Sequence, residues 1–216
     1  LHRSFLFLFQ FLMQYQQATY LTSATKISQL PKDQGAEVAF MGRSNSGKSS
    51  ALNTITGIKG LARTSSTPGR TQMINLFGLD DAHTLVDLPG YGYAKVPRPI
   101  KERWEAVTHE YLETRQSLCG VVLMMDVRHP LKDADQEIIT WAASSGMPLH
   151  VLLTKSDKLK RSGQRQALQT VQAAMKSFAH VSVQLFSSLE RSGVTEVRAV
   201  LDGWFEAMDD DMEDDE

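Results

Sequence analysis

Eight consecutive residues, Gly42-Arg43-Ser44-Asn45-Ser46-Gly47-Lys48-Ser49, fit the spacing G-x-x-x-x-G-K-[ST]. Such a spacing binds phosphate. The two glycines let the backbone curl so that successive N–H groups converge on an anion, and a helix starting directly after the loop adds its positive dipole end. Lys48 is then placed to bridge the β- and γ-phosphates of a nucleoside triphosphate, and the Ser49 hydroxyl to ligate Mg²⁺. The loop needs a strand before it and a helix after it. Both are legible: a β-type run at 37–41, and a helix at 50–56 that begins with Ser50.

A phosphate loop does not choose a base. Two further segments do, each at the carboxyl end of a run that reads as a strand, where open α/β sheets place ligands. Asp87-Leu88-Pro89-Gly90 follows 84–86, and Thr154-Lys155-Ser156-Asp157 closes 149–154. A D-x-x-G or a K-x-D is weak alone; their order and location behind the phosphate loop give the set its force. The Asp157 carboxylate offers two acceptors in one plane, matching the N1–H and exocyclic amine of guanine. Adenine has no such donor pair and would leave that carboxylate unpaired, so an ATP-dependent enzyme is disfavoured. Lys155 can lie along the base with its aliphatic stem. The turn Phe186-Ser187-Ser188 can offer backbone N–H to guanine O6.

Positioning these groups requires a sheet with crossover helices, and the alternation of patterns past residue 36 supplies one. The runs 37–41, 120–126, 149–154 and 181–186 read as buried parallel strands. The runs 73–79 and 84–86, joined by a turn at 80–82, read as a hairpin that adds an antiparallel edge. Helical stripes recur at Ile100, Trp104, Val107 and Tyr111; at Leu168, Val171, Met175 and Phe178; and at Val194, Val197, Leu201, Trp204, Phe205 and Met208. The expected architecture is one three-layer α/β/α domain over 13–208, with a mostly parallel six-stranded sheet and one antiparallel edge strand. At 216 residues, 42% hydrophobic and 22% charged, the chain is neither fibrous nor disordered. Its single cysteine, Cys119, sits in an apolar run and reads as a small core residue, which excludes a disulfide framework.

The termini differ from the body. Residues 1–12 are strongly apolar but too short to cross a bilayer, and are expected to be a non-native or disordered extension, with Met13 the natural start. The acidic run 209–216 is expected to be a disordered tail. It hides a basic body: residues 1–208 carry 23 basic against 18 acidic groups, a net +5.

With those residues in hand, the chain resembles the EngB family of small bacterial GTPases, of the TRAFAC class, over most of its length. The resemblance is carried by GRSNSGKSS (42–50), SSTPGRTQ (65–72), DLPGYGYA (87–94), RHPLKDAD (128–135), TKSD and FSS. It implies a P-loop NTPase domain of Ras-like fold that binds GTP and GDP, hydrolyses GTP slowly, acts in the cytoplasm in late assembly of the large ribosomal subunit, and is needed for normal cell division and septation. It further implies a second motif, Gly69-Arg70-Thr71-Gln72-Met73, with Thr71 ligating Mg²⁺ and sensing the γ-phosphate, and Asp87 holding a Mg²⁺-bound water. Catalysis would fall to Lys48, Thr71 and Asn45. By likeness to cation-dependent GTPases Asn45 would hold K⁺; a loop-tethering role is the alternative. Tyr91 stands where related GTPases carry a water-orienting glutamine, and Thr154 where many have asparagine, which would tie base loop to phosphate loop less firmly. A monomer without stable membrane insertion is expected, meeting ribosomal RNA and protein. Basic groups at Lys95, Arg98, Lys101 and Arg103, and at Lys158, Lys160, Arg161 and Arg165, favour RNA over the alternative, a nucleotide-dependent interaction protein at the division site or membrane, associated there through residues 1–12 and without a direct ribosomal role.

Overall fold

The computed structural model describes residues 12–63, 73–91 and 98–214. Three aliphatic runs, β2 (Ala36–Gly42), β5 (Leu118–Asp126) and β6 (Leu149–Thr154), are almost wholly buried. A strand apolar on both faces must be covered on both, so they take the middle of the sheet. Around them the order is β1-β3-β4-β2-β5-β6-β7, with β1 at Thr19–Ala24, β3 at Ile74–Gly78, β4 at His83–Asp87 and β7 at Val181–Leu185. β2 pairs in parallel with β4 and β5, and β6 with β5 and β7, whereas β3 runs antiparallel to both β4 and β1.

Alternate residues of each central strand feed two separate cores, one per face. Val38, Phe40, Val122, Met124 and Leu152 pack with α1 (Lys48–Thr56) and α5 (Val194–Asp214), through Leu52, Ile55, Val197, Leu201 and Phe205. Ala39, Met41, Val121, Leu123, Met125 and Val151 meet α2 (Arg98–Thr114), α3 (Asp133–Ser145) and α4 (Arg161–Met175), through Tyr111, Ile139, Ala142, Val171 and Met175. This is the three-layer domain expected, and truncating one fully buried aromatic such as Phe205 to alanine would cost about 3–5 kcal/mol. At the amino end of β2, away from the loops at issue, the buried Glu37 carboxylate accepts from Tyr111 Oη at 2.6 Å and from Arg115 at 2.7 and 3.0 Å.

Three details depart from expectation. The sheet has seven strands, not six: β1 pairs with β3 and replaces it as the edge, and its exposed Thr19, Tyr20 and Leu21 show no apolar alternation that would have marked it. Helix α3 was not foreseen. The acidic run is helical through Asp214 rather than disordered, because α5 continues past Met208 and the Asp209 carboxylate meets the buried His83 Nε2 at 3.0 Å. Residues 1–11 lie outside the described residues; Tyr15, just after them, is buried and donates to Asp202 at 2.7 Å.

Candidate functional site

The phosphate loop follows from two glycines. A Cβ on Gly42, the last residue of β2, would stand 2.7 Å from both the Met124 carbonyl oxygen and Ser46 Oγ, so only glycine fits. Gly47 has φ +94°, the left-handed region open to glycine at no steric cost, and it reverses the chain into α1. Asn45, at φ 63°, adopts the same region, as asparagine tolerates. Helix α1 starts at Lys48 with no side chain capping it, and its first internal bond runs from Ala51 N–H to the Gly47 carbonyl. The amides of Lys48, Ser49 and Ser50 therefore open the helix without intrahelical acceptors, the arrangement that suits an anion. Two loop amides expected to face phosphate are engaged elsewhere: Ser44 N–H donates to the Tyr91 carbonyl and Ser46 N–H to that of Arg43, both at 2.9 Å.

Opposite the loop stands Asp87, the last residue of β4, aligned with Phe40 of β2. Its carboxylate pairs with the buried Lys48 ammonium and accepts from Asn75 Nδ2 at 3.4 Å. Leu88 N–H extends the ladder to the Phe40 carbonyl at 3.0 Å, and after Pro89 and Gly90 the chain returns to the loop, Tyr91 bridging to Arg43. The Tyr91 phenol donates to Asp135 of α3 at 2.7 Å. Burial, then the Asp135 charge, pushes that phenol well above its ordinary pKa, so it stays a donor. Burial likewise raises the Asp135 carboxyl. A phenol held this way anchors Tyr91 to α3.

The base-side residues converge on the same loop. Thr154 Oγ donates to the Ser46 carbonyl at 2.5 Å and reaches the Met125 carbonyl at 3.1 Å. Thr154 thus ties base loop to phosphate loop through its single hydroxyl, where asparagine would offer two amide donors. Lys155, at φ 57°, sends its ammonium to the Asn45 carbonyl at 2.6 Å. Ser156 opens a short 3-10 turn, Ser156–Lys158, and Asp157 accepts from Ser187 Oγ at 2.7 Å. That hydroxyl bond, with Lys158 at 3.1 Å, holds the Asp157 carboxyl below its ordinary pKa, so it is ionised and ready to accept. Of the turn after β7, Phe186 N–H is bonded to the Leu153 carbonyl and Ser187 N–H to that of Ser192, so neither faces a base, and Ser188 is left as the amide to do so.

Met73 stands exposed just before β3, while Gly69, Arg70, Thr71 and Gln72 lie outside the described residues, as does Lys95. Asp126, Arg128 and Asp135 also reach this edge of the sheet, though no motif in the sequence gives them a role. The available signal was a lone carboxylate, Asp126, ending an otherwise apolar strand at the loop-bearing edge of the sheet. The donor set suits Mg²⁺: Ser49 and Asp87 offer hard oxygens, and among the described residues no group of three His, Cys, Asp or Glu gathers to cage a metal. Mg²⁺ characteristically takes one or two protein oxygens and completes its shell with phosphate and water.

A family model described as a 50S ribosome-binding GTPase matches residues 37–155. A probable GTP-binding protein EngB of Coxiella burnetii is 59% identical over 192 residues, 88% of this chain and 94% of the relative. The Escherichia coli protein of that description is 55% identical over 197 residues, 91% and 94% of the two chains. The chain belongs to the EngB family of GTP-binding proteins. It is accordingly a GTP-binding protein and a GTPase of P-loop fold. The crystal structure of a probable GTP-binding protein EngB superposes with a TM-score of 0.65 at 20% identity, covering 80% of this chain and all of that one. That of Era in complex with MgGDPNP and a segment of 16S ribosomal RNA gives 0.63 at 19% identity, covering 79% and 57%. At such identities the likeness is one of fold. Among the described residues, no helix is long and apolar enough to cross a membrane.

Proposed function

We propose that this member of the EngB family is a cytoplasmic, monomeric GTP-operated switch that binds the large ribosomal subunit or its precursors late in assembly, with normal cell division and septation depending on that step. The match to a 50S ribosome-binding GTPase model carries the reading. Charge supports it: Lys158, Lys160, Arg161 and Arg165 are exposed around the 3-10 turn and the start of α4, beside Asp157. A cationic face beside the base site is suited to nucleic-acid phosphates, whose attraction is salt-dependent. The division-site alternative drew on residues 1–12, of which only Leu12 is described, and no observation favours it.

In this reading Gly42 to Ser50 cradle the phosphates, with Lys48 drawn from Asp87 to the β- and γ-oxygens. Asp157 and Lys155 read guanine, Thr154 ties base loop to phosphate loop, Ser187 orients Asp157, and Ser188 N–H meets O6. Mg²⁺ held through Ser49 and Asp87, and by Thr71 in the triphosphate state, would neutralise charge on the β- and γ-phosphates. Gly69 to Met73, with Gly90, would sense the γ-phosphate. Phosphoryl transfer depends on positioning and charge neutralisation more than on a strong base, so with Tyr91 bound to Asp135 turnover is slow. Asn45 would add a K⁺ ligand; the alternative, an asparagine that serves the loop's own conformation, has its left-handed φ of 63° in its favour.

Sedimentation with purified large-subunit particles tests the reading. The protein should pellet with them in a GTP analogue and be released in GDP, and neutralising Lys158, Lys160, Arg161 and Arg165 should flatten the slope of log affinity against log salt by about 3 to 4 units. Equal pelleting in both nucleotides, or none, would overturn it.

A further inference from the structure

Strand β5 is apolar from Leu118 through Met125 and ends on a single carboxylate, Asp126. Three groups hold it. Arg128 grips it as a fork, Nε to Oδ1 at 2.9 Å and a terminal nitrogen to Oδ2 at 2.6 Å, while its own backbone N–H donates to Oδ1 at 3.1 Å. From the other side the Lys155 ammonium reaches Oδ2 at 3.1 Å. The register explains the meeting: Asp126 lies opposite Thr154 across the β5–β6 pair, so the residue after Thr154 leaves the sheet beside it. Lys155 turns there through a left-handed backbone and its ammonium also donates to the Asn45 carbonyl. Its Cε lies 3.8 Å from where a Cβ on Gly47 would be, so the stem runs over the phosphate loop. Burial would raise the Asp126 carboxyl, but the contacts with Arg128 and Lys155 outweigh it and keep it ionised.

We propose that Asp126, oriented by Arg128, is a positioning residue for the guanine site, fixing the Lys155 ammonium against the phosphate loop so that its aliphatic stem is already aligned for the base. The inference rests on the reading that places Lys155 at the base. Lysine loses as much rotamer freedom on ordering as any side chain, and a lysine ordered in advance does not lose it again on binding. Arg128 supplies what a lone exposed ion pair lacks, a bidentate hold that keeps the carboxylate in one orientation.

A double-mutant cycle on the full chain, read by the affinity and dissociation rate of fluorescent mant-GDP and mant-GTP, tests it. Asp126→Asn should weaken both nucleotides about five- to twentyfold, through faster dissociation, because the base is common to both. In a Lys155→Ala background the same change should have no further effect, since a residue acting through the lysine has nothing left to position. Arg128→Ala should weaken binding about two- to fivefold and be equally silent in that background; its side chain is partly exposed, so it decides the matter if Asp126→Asn does not fold. An undiminished Asp126→Asn effect without Lys155 would make Asp126 merely structural and overturn the proposal, as would no effect in the wild-type background. If Lys155→Ala itself leaves affinity unchanged, the base-site reading fails, and the proposal with it.

Discussion

Replacing Thr154 by valine removes one hydroxyl and almost no volume, so it isolates a single hydrogen-bond donor. That donor serves the Ser46 carbonyl of the phosphate loop at 2.5 Å and the Met125 carbonyl of β5 at 3.1 Å, on a residue 3% exposed. Leaving a buried acceptor unpaired costs about 1–3 kcal/mol. Two carbonyls share the proton here and the shape is retained, so about 2 kcal/mol is expected. In a chain of this length each kcal/mol lowers Tm by about 2–4 °C, giving a fall of about 4–8 °C in thermal unfolding without nucleotide. Because the bond joins the base loop to the phosphate loop, GDP affinity should fall as well, by about three- to tenfold in a calorimetric titration. A Tm within about 1 °C of wild type together with unchanged GDP affinity would refute the claim that this hydroxyl couples the two loops.

The buried His150 yields a pH prediction. Gln184 Nε2 donates to the Gly193 carbonyl, so Gln184 Oε1 accepts from His150 Nε2 and the ring takes Ser182 at Nδ1 as a neutral imidazole, its pKa lowered by burial from 6.5. A folded pKa below the unfolded one contributes stability that is complete above about pH 6.5 and lost as pH falls through the lowered folded value. Urea unfolding from pH 7.5 to 5 should show wild type losing stability over that window more steeply than His150→Gln; parallel losses would mean the ring is not buried neutral. In Mg²⁺ titrations of nucleotide binding, Ser49→Ala should weaken GTP and GDP alike and Thr71→Ala chiefly GTP. Equal effects of Thr71→Ala on both would remove it from sensing the γ-phosphate.

How much of this was legible depended on where the determining contacts lie. The phosphate loop, Asp87 and Asp157 were readable because their chemistry is fixed by local spacing after a strand, and the central strands because burial on both faces leaves unbroken apolar runs. β1 was not, since an edge strand exposed at Thr19, Tyr20 and Leu21 carries no period. The helical acidic run was missed because its support is a contact across 126 positions, from Asp209 to His83. The same holds for Thr154 with Ser46, Tyr91 with Asp135 and Asp126 with Lys155. Each is a pair of polar groups far apart in sequence that only the assembled fold brings together. The loss of the Ser187 amide to Ser192 was likewise invisible, a bend closed by its own backbone.

The central claim is a guanine site read by Asp157, and calorimetric titration of wild type and Asp157→Asn with GTP and XTP tests it most directly. The substitution keeps an acceptor for the N1–H of guanine but sets a donor against its exocyclic amine, whereas at N1–H/C2=O of xanthine it offers a matching acceptor and donor. GTP affinity should fall at least tenfold and XTP affinity should rise. An unchanged preference for GTP over XTP would take Asp157 out of the base site and contradict the account.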